Sequence, residues 1–160
     1  MKTLIIHPED PTTTFLDPIY ADIPNQTLVQ GNCSKKEVLT LIQEHDCILM
    51  MGHGCSAGLL AMGKFKIEFG DMWWPYVVDD EAVELLRTKK ENLFIWCHAD
   101  SFLGYHPGLP GFYTGMFISE VGEAEQYGVH GVSQEEVDES NQLFSQEVAK
   151  AIHLPAADLC

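Results

Sequence analysis

Apolar residues in this chain fall into short unbroken runs: Leu4-Ile5-Ile6, Cys47-Ile48-Leu49-Met50-Met51 and Leu93-Phe94-Ile95-Trp96. Each run gives way at once to polar or turn-forming residues, the pattern of strands buried on both faces of a parallel sheet. Between the runs the period changes. Val38, Leu39, Leu41 and Ile42 share one face of a helix that ends near Glu44, and Ser34 with Glu37 three residues later is a capping-box signature. Ala82, Val83, Leu85 and Leu86 mark a second helix, opened by Asp79-Asp80-Glu81 and closed by Arg87, Lys89 and Lys90, the charge order that a helix dipole favours. Ser133 and Glu136 cap a last helix reaching about Ile152, with Val137, Phe144, Val148 and Ile152 as its inner stripe.

Weaker signals fill in the rest. Residues 27–30 read as a short second strand, and Met116-Phe117-Ile118 as a fifth. The Thr/Pro-rich stretch 11–24 reads as a long loop with one helical turn near Leu16 to Tyr20, and the Gly/Pro-rich stretch 101–111 as another loop. Phe65-Lys66-Ile67-Glu68-Phe69 alternates as a hairpin arm does, placing a small hairpin after strand three. Strands alternating with helices through right-handed crossovers give a doubly wound α/β domain with a mainly parallel sheet. With 160 residues and neither a repeat nor a low-complexity tract, residues 1–160 read as a single domain.

Charge narrows the function classes. Twenty-four acidic residues against nine basic ones leave a net charge of -15, which repels a phosphate backbone, so nucleic acid is not an expected partner. No apolar run approaches the roughly 20 residues of a membrane span, and the first apolar stretch is too short for a signal-peptide core. Cys33, Cys47, Cys55, Cys97 and Cys160 are odd in number and lack disulfide-scaffold spacing, which fits a reducing compartment, and the expected location is the cytoplasm. Gly52-His53-Gly54 lacks the third glycine of a dinucleotide loop, and no cofactor is expected.

Candidate chemistry gathers at the ends of two apolar runs, where parallel sheets place their sites. His53 follows the third strand and Cys97 the fourth, so an imidazole can meet a thiol that needs a base to become a nucleophile at neutral pH. Gly52 and Gly54 flank His53, permit close backbone approach and leave the Gly54 amide able to donate to a developing oxyanion. His98, next to the thiol, is a candidate to orient it. The separation of 44 residues between His53 and Cys97, filled by a hairpin and a helix, compares with about 50 between base and nucleophile in caspases.

From Cys47 to about Ile152 the chain resembles the caspase-like cysteine peptidases, a group that includes metacaspases, gingipain, clostripain and CHAT proteases. Met51-Gly52-His53-Gly54 is similar to their strand-then-His-Gly motif, residues 92–97 to the strand that delivers the nucleophile, and Cys97-His98 to the metacaspase Cys-His pair. The resemblance implies a caspase-like, three-layer fold of flavodoxin-like strand order and a peptide or protein substrate. In those roles Cys97 attacks the scissile carbonyl, His53 protonates the leaving amine, and the Gly54 and Cys97 amides form the oxyanion hole. The chain departs from the family where caspases carry Gln-Ala-Cys-Arg-Gly, and it has Trp96 where metacaspases carry an acidic residue. Asp100, Glu120 and Glu123 are the acidic candidates for a pocket preferring Lys or Arg. Two alternatives use the same residues: a catalytically inactive caspase-like scaffold that binds a protein partner, with Trp73-Trp74-Pro75-Tyr76 as an interface patch, and a zinc site made by His53, Cys55, Cys97 and His98.

Overall fold

A computed structural model describes residues 1–63 and 76–152. Its main sheet has five strands, β1 (Thr3–Ile6), β2 (Gln26–Val29), β3 (Cys47–Met51), β7 (Glu91–Ile95) and β8 (Phe112–Tyr113), all parallel and ordered β2-β1-β3-β7-β8. A second, antiparallel sheet of β4 (Gly54–Cys55), β5 (Gly58–Leu60) and β6 (Tyr76–Val78) follows β3. A hairpin after the third strand is therefore present, but its arms are β4 and β5; the expected arm at residues 65–69 lies outside the described residues. The same holds for Trp73, Trp74, Pro75 and Cys160.

Side-chain alternation builds three layers. Leu4, Ile6, Ile48, Met50, Phe94 and Trp96 face one core, which α1 (Lys35–Glu44), α2 (Val83–Leu86) and α3 (Ala99–Tyr105) cover together with β6. Ile5, Leu49, Met51, Leu93 and Ile95 face the other, covered by a 3-10 helix over Pro11–Ile19 and by α5 (Gln134–Ala151). Successive strand residues point to opposite faces, so an unbroken apolar run is what a doubly covered sheet requires. Both expected capping boxes form, Ser34 with Glu37 on α1 and Ser133 with Glu136 on α5.

Several boundaries differ from expectation. The helix after Asp79 is a 3-10 turn, Asp80–Ala82, followed by the single turn of α2, so Lys89 and Lys90 lie beyond it. The fifth strand is Phe112–Tyr113 rather than residues 116–118. The buried Asn92 amide of β7 donates to the Pro110 and Leu86 carbonyls, which fixes the incoming chain two residues before β8. Gly111, at φ 147°, then brings its backbone so near Asn92 that a side chain there would collide with it. Residues 11–24 hold a nine-residue 3-10 helix instead of one turn, because Asp10 caps it by accepting from the Thr12 amide. Helix α3 takes up residues 101–105 of the stretch expected to be a loop over 101–111, and a second short helix, α4 (Val121–Gln126), occupies a stretch without a clear periodic signal.

Candidate active site

Parallel register carries His53 and Cys97 to the same level of the sheet. Met51 pairs with Ile95, and the Gly52 amide continues the ladder to the Ile95 carbonyl at 3.0 Å, so the two candidates each stand two residues past a matched pair. Both line one cleft of about 380 Å³ at the carboxyl ends of the strands, with Gly54, Met62, His98 and Glu123.

Each is held by a different neighbour. The Cys97 thiol donates to the Phe117 carbonyl at 3.3 Å. Burial pushes this thiol above the ordinary cysteine value, and the Glu123 carboxylate adds to the rise. The resting group is thus a neutral thiol. His53 Nε2 lies 2.7 Å from Thr12 Oγ1 and 3.6 Å from Asp10 Oδ1. Thr12 hydrogen bonds, from its hydroxyl first, hold the Asp10 carboxyl below the ordinary aspartate range. His53 and Cys97 make no hydrogen bond to each other among the described residues.

The turn that presents Cys97 is tightly specified. His98 adopts a left-handed conformation, φ 64° and ψ 28°, which costs a non-glycine residue on the order of 1 kcal/mol. Its amide donates to the Gly115 carbonyl at 2.6 Å, the Asp100 amide donates to the Thr114 carbonyl at 3.1 Å, and the Thr114 hydroxyl returns a bond to the Trp96 carbonyl at 3.2 Å. His98 itself is exposed.

Gly54 is a glycine because Trp96 leaves no room for anything larger. An added Cβ would sit 2.3 Å from indole Cδ1 and 2.8 Å from the Gly58 carbonyl oxygen. The indole Nε1 donates to the Cys55 carbonyl at 3.1 Å, locking β4 onto the end of β7. Because the Leu60 amide bonds the His53 carbonyl, Gly54 and Leu59 form a non-hydrogen-bonded pair, which turns the Gly54 amide away from β5.

No family model, no curated protein and no solved structure matches the chain.

Of the three acidic specificity candidates, Glu123 lines the cleft, and its Oε2 accepts from the amide and hydroxyl of Ser119, both at 2.8 Å. Asp100 is exposed on the first turn of α3. Glu120 lines a separate hollow with Thr12, Ser119 and Gln134. The four residues of the zinc alternative do not converge: Cys55 Sγ lies 3.4 Å from the Tyr76 hydroxyl and accepts from the Ala57 amide. Among the described residues no group of three His, Cys, Asp or Glu side chains is placed to hold a metal ion. His7, at the same sheet edge, is buried and bonded to the Tyr20 and Thr13 hydroxyls. Sequence reasoning missed Asp10 and Thr12, which sit over 40 residues before His53 with no spacing to announce them. It also missed an apolar hollow of about 470 Å³ between residues 114–118 and α5, which shares Met116 with the cleft.

Proposed function

We propose that this protein is a cysteine-dependent peptidase, or a related amide hydrolase, of caspase-like type. The supporting observation is the shared level of His53 and Cys97 at the ends of adjacent parallel strands, in one cleft beside the Gly54 backbone. In this reading substrate displaces the Phe117 contact and His53 takes the thiol proton. The sulfur pair then forms a bond to the scissile carbonyl carbon, and the carbonyl π pair moves onto oxygen, opposite the Gly54 and Cys97 amides. Collapse breaks the C–N bond as His53 returns its proton to the leaving nitrogen. Water, deprotonated by His53, hydrolyses the thioester and releases the acid and the thiol. Glu123 in the cleft supports a preference for Lys or Arg, and the adjoining apolar hollow offers room for a neighbouring apolar side chain.

A fluorogenic peptide library tests this. The expected result is hydrolysis that Cys97→Ala abolishes and His53→Ala lowers by about a hundredfold or more, the usual contribution of a general base. Hydrolysis that survives Cys97→Ala overturns the reading, as does an inert library combined with a Cys97 that alkylates no faster than Cys33. The second reading, a caspase-like scaffold that captures a protein partner without catalysis, draws on the same neutral, carbonyl-bound thiol, and that last result favours it.

A further inference from the structure

We propose that Asp10 and Thr12 are positioning residues that fix which nitrogen of His53 moves the proton: Nε2 is held as a donor to Thr12, and Nδ1 is left as the base. The inference rests on the hydrolase reading and adds to it two residues from the loop after β1. It follows from counting protons. Asp10 Oδ1 accepts from the Thr12 amide at 2.9 Å and from the Thr12 hydroxyl at 2.6 Å. An ionised carboxylate can only accept, and a hydroxyl carries a single proton, so that proton lies toward Asp10. The Thr12 oxygen, 2.7 Å from His53 Nε2, must then accept, and Nε2 must carry hydrogen. A neutral imidazole has one N–H, so the lone pair sits on Nδ1, which makes no hydrogen bond among the described residues.

The bland account of Asp10 is that it caps the 3-10 helix, which the Thr12 amide bond alone achieves. That account does not require the same hydroxyl to bridge to a histidine on another element 41 residues away. The three side chains are also partly withdrawn from water, with Asp10 18% and His53 24% exposed, so their bonds compete less with solvent than surface pairs do. When His53 takes the Cys97 proton at Nδ1, both ring nitrogens become donors. The imidazolium then sits 3.6 Å from the Asp10 carboxylate, which steadies the charge during transfer.

The test reads the tautomer directly, by two-bond 15N–1H correlation on the full chain carrying 15N-histidine, at a pH where imidazole is neutral. Expected for the wild type and for Thr12→Ser is an Nε2–H His53. In Asp10→Ala the freed Thr12 proton turns toward Nε2, so the population shifts to Nδ1–H, while Asp10→Asn, which keeps an acceptor at Oδ1, stays with the wild type. Alkylation of Cys97 by a peptidyl acyloxymethyl ketone should fall about ten- to a hundredfold in Asp10→Ala, the worth of a hydrogen bond to a charged group, and recover only in part in Asp10→Asn, which restores the acceptor and the tautomer but not the negative charge. A wild-type Nδ1–H tautomer overturns the proposal even if Asp10→Ala does not fold, and so does an Asp10→Ala protein with an unchanged tautomer. If His53 holds Nε2–H as expected but Cys97 ignores every peptidyl electrophile, the positioning stands and the hydrolase reading falls.

Discussion

Replacing Gly54 with alanine adds one methyl group at a point where the structure has no space for it. The new Cβ meets Trp96 Cδ1 at 2.3 Å, Cγ at 2.5 Å and the Gly58 carbonyl oxygen at 2.8 Å, all well inside van der Waals contact. Trp96 cannot swing into solvent, being fully buried among Phe94, Phe102 and the rest of its core. Overpacking of this kind costs about 1–3 kcal/mol. Displacing the indole also strains or breaks its bond to the Cys55 carbonyl, adding about 1 kcal/mol. The sum, roughly 2–4 kcal/mol, lowers the Tm of a chain this long by roughly 5–15 °C. Urea unfolding followed by circular dichroism measures it, with Gly104→Ala and Gly122→Ala as controls. Those two glycines lie in helices with nothing within 4 Å of an added Cβ, so alanine there should be neutral or stabilising by up to about 1 kcal/mol. A Gly54→Ala protein within about 0.5 kcal/mol of wild type would refute the packing argument, since that is the range of unconstrained surface changes.

Two further outcomes concern a buried histidine and a helix cap. Burial holds the His7 imidazole below its ordinary value despite the nearby Asp17, so the unfolded chain takes up a proton that the folded chain resists. Stability from this residue is complete above about pH 6.5 and is lost as pH falls below it; the wild type should weaken more between pH 8 and pH 5.5 than His7→Gln, and an equal drop of the urea midpoint in the two proteins would contradict this. Ser133→Ala removes the cap from the 18-residue α5 and should cost about 1 kcal/mol, read as a shifted urea midpoint with an unchanged slope; no shift would mean that the capping box contributes nothing.

The residues explain what could be read in advance and what could not. Buried parallel strands advertise themselves because both faces must be apolar, so β1, β3 and β7 were legible, and β3 with β7 sufficed to bring His53 and Cys97 to one sheet edge. Capping boxes are equally local, and α1 and α5 start where Ser34 and Ser133 indicate. The strand at residues 112–113 was not legible because its place depends on a contact, Asn92 with Pro110, between segments far apart in sequence. Asp10 and Thr12 were invisible for the same reason: their relation to His53 exists only once β1 and β3 lie side by side. At Gly54 the fold adds a packing reason that the sequence did not show, since the neighbour this glycine accommodates is the Trp96 indole. Of the acidic residues, only the fold distinguishes Glu123, which reaches the cleft, from Glu120, which faces another hollow.

Covalent trapping tests whether Cys97 and His53 act as one nucleophilic site without knowledge of the natural substrate. Native protein would be incubated with a panel of peptidyl acyloxymethyl ketones bearing basic or apolar side chains at the reactive end, then followed by intact mass and peptide mapping. The prediction is a single adduct on Cys97, fastest with Lys or Arg, and slowed about a hundredfold by His53→Ala. Modification of Cys97 that is indifferent to His53→Ala, or label that settles on Cys33 and Cys55 while Cys97 stays free, would contradict it.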